Sequence, residues 1–301
     1  MTCTSGINMK LAVVEAATSD FSSGATQLIV ESESLRKNET QIDLSGIKGT
    51  RSRSVEEIEE GPYDVSGSII LKPSANDFNL LLPWILGADE AATDTFAVAE
   101  TLQEFCCLID RVATISTRST WKYEGLKVNK AILRGTKGQP VRLELQVLGK
   151  TEEADSDAFP ALSLSTGEPA TPYVFNECSF QYGSTAMPFS SFEITIDNAL
   201  EVRRENTIVA ADLCPMDRIV TARFDVPWEA GVAGEYDAAE QAGTFVMAKT
   251  NVSTSFAFGR LVQPAQSPAV GGKGRIPWNL NLEARSTGAT KEIVGTNDPV
   301  V

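Results

Sequence analysis

Val65-Ser66-Gly67-Ser68-Ile69-Ile70-Leu71 sets Val65, Gly67, Ile69 and Leu71 on one side of an extended chain, the period-two pattern of a half-buried β-strand. Pro73 ends it. Ser74 reads as a helix N-cap with Asp77 three residues on, and Phe78, Leu81, Leu82 and Ile85 then recur at helical spacing before Gly87. Pro83 removes a helix hydrogen bond at a cost of about 3 kcal/mol, so a kink or a stop is expected there. After a variable segment come Trp121–Leu133 and Val141–Leu148, and within the second the residues Val141, Leu143, Leu145 and Val147 alternate strictly with polar neighbours. The same order then recurs. Ile219–Val226 is an opening strand, Gly234–Gly243 a helix-like stretch, and Asn251–Val262 with Arg275–Arg285 the closing strands. The fold expected is mainly β: two tandem β-sandwich or barrel modules, each with a short flanking helix.

Two long polar excursions interrupt this plan. Ser45–Pro62 follows the strands Thr26–Glu33 and Gln41–Leu44; its first part is basic (Lys48, Arg51, Arg53) and its second acidic (Glu56, Glu57, Glu59, Glu60). A loop of that length inside a β-rich domain is either functional or disordered. Asp197–Asp217 is its counterpart, with Arg203, Arg204 and Glu205. A run of low hydrophobicity separates the halves. The expected organisation is an N-terminal arm (1–25), a first module (26–150), a linker (151–172), a second module (173–285) and a C-terminal arm (286–301).

With 301 residues, 42% hydrophobic and 22% charged, the chain can bury a sizeable core. No apolar run reaches the ~18–20 residues that span a bilayer, and the N-terminus lacks the features of a secretory signal, so no membrane association is expected. Forty acidic against 26 basic side chains give a formal charge of −14, which excludes a protein that grips nucleic acid through clustered cations. There is no histidine, which removes Ser-His-Asp and Cys-His schemes and His-ligated metals together. The five cysteines lack metal-ligand spacing and read as reduced; Cys106 and Cys107, adjacent on a strand, should point to opposite faces.

Candidate sites fail one by one. Gly271–Arg275 lacks the GxxxxGK[ST] spacing and reads as a hairpin tip. Ser119–Lys122 matches S-x-x-K without a companion motif or a helix start. Glu56, Glu57, Glu59 and Glu60 offer paired carboxylates, but nothing apolar holds them at a fixed separation, so they read as a solvated loop. No catalytic residue, cofactor or metal is expected.

Taken in order, Gly49-Thr50-Arg51-Ser52-Arg53, the strand Asp64–Leu71, Leu80–Ala88, Tyr123–Asn129, Ile194–Leu200 and Ile276–Leu280 resemble the major tail tube proteins of long-tailed bacteriophages, in their two-module form. The resemblance covers about residues 25–290. It implies a β-sandwich flanked by a helix, whose inner sheet joins those of neighbouring subunits into a continuous barrel. It also implies stacked rings, in contact through the long loop (Lys48, Arg51, Arg53, Glu56, Glu57, Glu59, Glu60) and the second-module loop (Arg203, Arg204, Glu205). A two-module chain should close a trimeric, pseudo-sixfold ring instead of a hexameric one. The partners implied are the chain itself, a tape measure protein and DNA in the lumen without specific binding, and tail terminator and tail tip proteins. The location implied is the virion tail, after synthesis in the host bacterial cytoplasm. An acidic lumen wall is expected from the net charge. Two rivals stand beside this reading: a carbohydrate- or receptor-binding β-sandwich of a tail tip or capsid decoration, which would expose aromatic clusters, and a hydrolase of unusual type.

Overall fold

A computed structural model of the chain describes residues 9–15, 21, 24–46, 52, 54–87, 94–111, 120–155, 171–236, 240–264, 267–268, 270 and 272–298. The first half contributes β1 (Lys10–Glu15), β2 (Thr26–Leu28), β3 (Val30–Glu33), β4 (Arg36–Asp43), β5 (Ile58–Leu71), α1 (Ala75–Leu86), β6 (Thr95–Ala97), β7 (Phe105–Asp110), β8 (Thr120–Thr136), β9 (Arg142–Gly149) and β10 (Thr151–Asp155). The second contributes β11 (Cys178–Tyr182), β12 (Thr185–Ala186), β13 (Ser191–Asp197), β14 (Glu201–Arg203), β15 (Asp212–Cys214), β16 (Ile219–Pro227), α2 (Ala230–Ala233), β17 (Glu240–Lys249), β18 (Val252–Val262), β19 (Pro277–Arg285) and β20 (Ile293–Asp298). The chain is mainly β, with large antiparallel sheets, as its alternation leads one to expect.

The pairings of the first half run in a circuit. β2 pairs with β1, β1 with β7, β7 with β8, β8 with β9, β9 with β5, and β5 with β3, which directly follows β2; β10 adds to β8. In the second half β12 pairs with β11, β11 with β17, β17 with β18, β18 with β19, β19 with β16, and β16 with β13; β20 adds to β18. The two sets are antiparallel throughout and occur in the same chain order. Gly125 marks the corner in β8: at φ +63 it occupies the left-handed region that favours glycine, and the strand leaves β7 and β10 there for β9.

Two strand pairings join the halves: the short one of β6 with β20, and a longer seam between β8 and β13. β13 lies antiparallel beside the far end of β8, from Ser191 opposite Thr136 to Asp197 opposite Lys130. On the core side Leu133 faces Ile194 and Ala131 faces Ile196, while Gly135 faces Phe192. A Cβ on Gly135 would lie 2.2 Å from the Phe192 ring, so the absent side chain is what admits the ring. That ring cannot swing aside, because Phe245 and Phe189 lie 4.6 and 5.9 Å from it. Asn198, 1% exposed, secures the end of the seam. Its Nδ2 donates to the carbonyls of Ile85 (3.2 Å) and Val128 (3.0 Å), its backbone N–H to Asn129 (2.8 Å), and its Oδ1 accepts from Arg218 Nε (3.2 Å). Buried Lys127 adds a second tie, donating to the Leu213 carbonyl at 2.9 Å with Asp212 at 3.3 Å and Glu104 at 3.4 Å.

α1 packs across the halves. Ser74 and Asp77 form the expected capping box, and Gly87, at φ +93, closes the helix. The helix runs unbroken through Pro83; the carbonyl that loses its donor belongs to Asn79, which lies on the exposed face. Phe78 meets Phe256 of β18 edge-on at 5.9 Å, and Gly295 of β20 leaves room for Leu82. One apolar cluster therefore includes α1 and strands of both halves. Cys106 and Cys107 do face opposite ways, Cys107 into this cluster and Cys106 into a smaller one with Ala12, Val14, Phe21 and Leu108.

Strands also occur within the segments expected as arms and linker, and one helix-like stretch needs correction. β1 falls in the expected N-terminal arm and β20 in the expected C-terminal arm, and β10 takes the start of the expected linker, whose residues 156–170 lie outside the described residues. The helix-like stretch Gly234–Gly243 is not helical where described: α2 ends at Ala233 and β17 begins at Glu240.

Two substitutions test the seam. Gly135→Val is expected to cost about 1–3 kcal/mol in denaturant unfolding, because Phe192 has nowhere to go. Asn198→Ala strands two buried carbonyls and is expected to cost about 1–3 kcal/mol by the same measurement.

Candidate assembly surfaces

The first excursion is a projecting hairpin, not a loop. β4 pairs with the leading part of β5 from Arg36 opposite Ser66 out to Asp43 opposite Ile58. Its end is shaped by Ser54, which caps a single 3-10 turn at Val55–Glu57 and whose N–H reaches Glu57 Oε2 at 3.3 Å. The Leu44 N–H donates to the Glu57 carbonyl at 2.7 Å. Glu57 is thus buried in the turn, whereas Glu56, Glu59 and Glu60 are exposed. Lys48, Arg51 and Arg53 lie outside the described residues. Ile42, Leu44, Val55 and Ile58 are exposed on the same hairpin, Val55 by 84%. Four apolar side chains are thus held in water on one projection, which makes it a candidate contact surface.

The second excursion carries the short hairpin β14–β15 and is docked on the base of the first. Arg204 donates to the Tyr63 carbonyl at 2.8 Å and ion-pairs with Asp64, and the Tyr63 N–H donates to the Ile208 carbonyl at 3.1 Å. Arg204 is therefore engaged within the chain. Arg203 and Glu205, paired at 3.0 Å, are exposed. The Asp212 carboxyl at the foot of this hairpin is held below the usual carboxylate range by the Leu213 N–H and by Lys127.

A third surface is the solvent side of the sheet that runs β3–β5–β9–β8–β13–β16–β19. Its charges come in pairs: Arg134 with Glu193 (2.8 Å) and Glu144 (3.4 Å), Arg142 with Glu31 (2.8 Å), Lys130 with Asp197 (2.6 Å), and Arg285 with Glu283 (2.6 Å). Two open depressions flank Arg134, one bounded by Glu31, Ile132 and Arg142 and the other by Glu193, Arg223 and Asn279. Each pair is partly exposed and contributes at most about 1 kcal/mol, so the pairs matter for the field they cancel more than for stability.

Reading the sequence for charge missed part of this. Ile42 and Leu44 alternate like a half-buried strand, but β4 stands off the core and both are exposed. Asn198 and Lys127 lie in stretches that carry the resemblance, but their roles are defined by partners far along the chain, which no local pattern shows. Among the described residues no group of three or more His, Cys, Asp or Glu is placed to hold a metal, and no helix is long and apolar enough to cross a membrane.

No curated protein matches the chain. The family model for the phage tail tube protein does match it, over residues 6–285 of 301. That span takes in both halves, the projecting hairpin and the seam between β8 and β13. A structural component of the virion tail, the chain belongs to the phage tail tube protein family.

Proposed function

We propose that the chain is two tail-tube modules in tandem and that three copies close a pseudo-sixfold ring, in preference to six. The rings stack into a tube through which DNA passes into the host. The observation that carries this is the recurrence of one pairing circuit, in one chain order, in two halves already joined edge to edge by β8 and β13. Two units that meet this way inside a chain favour the same meeting between chains, and a repeated rotation closes a ring.

The projecting hairpin is the inter-ring contact in this reading. Ile42, Leu44, Val55 and Ile58 bury against the neighbouring ring, and the charged residues Lys48, Arg51, Arg53, Glu56, Glu59 and Glu60 set its orientation. The exposed pair Arg203–Glu205 lies beside it.

The paired-charge face lines the bore. On this assignment the wall is close to neutral, and the acidic wall expected from net charge is not what these residues make. Near-neutrality serves a conduit too: DNA, with one phosphate charge per ~1.7 Å of axis, meets Arg134, Arg142, Lys130 and Arg285 already beside carboxylates. The tape measure protein and then DNA occupy this bore without specific binding, and terminator and tip proteins cap the ends. Synthesis takes place in the bacterial cytoplasm. The rival carbohydrate- or receptor-binding reading asks for exposed aromatic clusters; Trp84, Trp278, Tyr123, Tyr173 and Tyr182 are instead fully buried.

Electron microscopy of the concentrated protein tests the proposal: hollow tubes or stacked rings are expected, and dispersed single particles at every concentration would refute it. Replacing Val55 and Leu44 by Asp places charge on the hairpin's apolar surface. Single rings that no longer stack are expected in the micrographs.

A further inference from the structure

Residues 198–218 connect β13 to β16 as residues 34–57 connect β3 to β5, and in each half the two strands so connected pair with one another. The two connections behave differently. In the first half β5 runs out past the sheet: β9 lies beside it only from Val65 to Leu71, and Ile58–Asp64 pair with β4 and no other strand among the described residues. In the second half β16 begins at Ile219, opposite the last residue of β13. There β14 and β15 pair with each other and with no further strand among the described residues.

The second connection lies along the edge of β5 that β9 leaves open. It takes both backbone groups of Tyr63: the N–H donates to the Ile208 carbonyl at 3.1 Å, and the carbonyl accepts from Arg204 at 2.8 Å. The same guanidinium ion-pairs with Asp64. Across the hairpin, the Lys37 N–H donates to Glu152 of β10 at 2.8 Å, and the Lys37 ammonium sits 4.2 Å from the centre of the Tyr63 ring. The base of the hairpin is therefore gripped along both edges. One step outward the ladder breaks. Its register shifts between Glu39 and Gln41, where a Cβ on Gly61 would lie 2.7 Å from the Thr40 carbonyl oxygen. Such a bulge is a place at which a hairpin bends. The foot of the second connection is fixed to the first half by the Lys127 bond to the Leu213 carbonyl and by the Leu200 N–H, which donates to Asn129 Oδ1 at 2.8 Å.

We infer that the second connection is a brace and not a second projection: through Arg204 and Ile208 it fixes the angle at which the β4–β5 hairpin leaves the body. Arg204 is a positioning residue, acting on the next ring only through the hairpin. The chain then offers one projection for its two halves. A ring of three chains carries three projections, and successive rings meet with threefold symmetry although each ring is pseudo-sixfold.

The consequence for stacking rests on the tube reading, but the brace is tested in the unassembled chain by amide hydrogen exchange. Arg204→Ala should speed exchange at Lys37–Asp43 and Ile58–Tyr63 by about tenfold or more, with the β8–β13 seam unchanged. Arg204→Lys, which keeps a donor for Tyr63 and a cation for Asp64, should restore most of the protection. Asp64→Asn is milder and should move the same peptides the same way by a smaller factor. Hairpin exchange that neither Arg204→Ala nor Asp64→Asn alters would overturn the inference. In assembly, Arg204→Ala should need about ten times more protein to form tubes, because the hairpin is no longer preorganised. Arg203→Ala, which touches only the exposed pair with Glu205, should assemble as the unaltered chain does. Rings of Arg203→Ala that fail to stack, or six equivalent contacts between rings in a reconstruction of the tube, would make the second connection a contact surface and refute the brace. Failure of the unaltered chain to form tubes would sink the tube reading and leave the exchange result standing.

Discussion

The join between Lys130–Thr136 of β8 and Ser191–Asp197 of β13 is the constraint on which the rest of the molecule depends. β8 is 17 residues long and pairs with four strands: with β7 and β10 up to about Gly125, and with β9 and β13 beyond it. A slip of one residue at the join would carry Leu133 and Ala131 to the solvent side and drive Lys130 and Arg134 into the core, so the register is set by burial. The ion pairs across it are too exposed to set it, each contributing at most about 1 kcal/mol. Everything else takes its place from this register. Asn198 follows directly after β13 and reaches back to α1 and β8 because the strand ends where it does.

Much of this was legible in the sequence. The strand readings found β5, β9, β16 and β19, and the Ser74–Asp77 box with Gly87 found α1. What escaped did so for identifiable reasons. Leu11, Ala12, Val13 and Val14 of β1 are buried on both faces, so the strand shows no alternation and reads as a brief apolar patch. The inward side of β20 is Ile293, Gly295 and Asn297. Its glycine is dictated by the approach of Leu82, and its asparagine by hydrogen bonds to the Ala75 carbonyl and from Thr254. Neither residue type signals a core position in isolation. The hairpin β4–β5 reads as a loop because, standing clear of the core, it has no buried face to write into the sequence beyond its base.

Charge shows a similar gap between composition and placement. A formal charge of −14 suggests an acidic conduit. On the sheet face assigned to the bore, however, Arg134, Arg142, Lys130 and Arg285 are each matched by a carboxylate, and the field of a matched pair decays faster than that of a lone charge. The excess carboxylates lie elsewhere, among them the exposed Glu56, Glu59 and Glu60 of the projecting hairpin. Composition counts charges; only the fold tells which of them face one another.

If paired units within a chain stand in for neighbouring subunits, the number of chains in a closed ring must be half the number of units. Native mass spectrometry of the smallest closed species reads that number directly. A mass of three 32.4 kDa chains is the predicted result. A closed ring with the mass of six chains would contradict it, because each chain would then fill one position and the repeated circuit would have no role in closure.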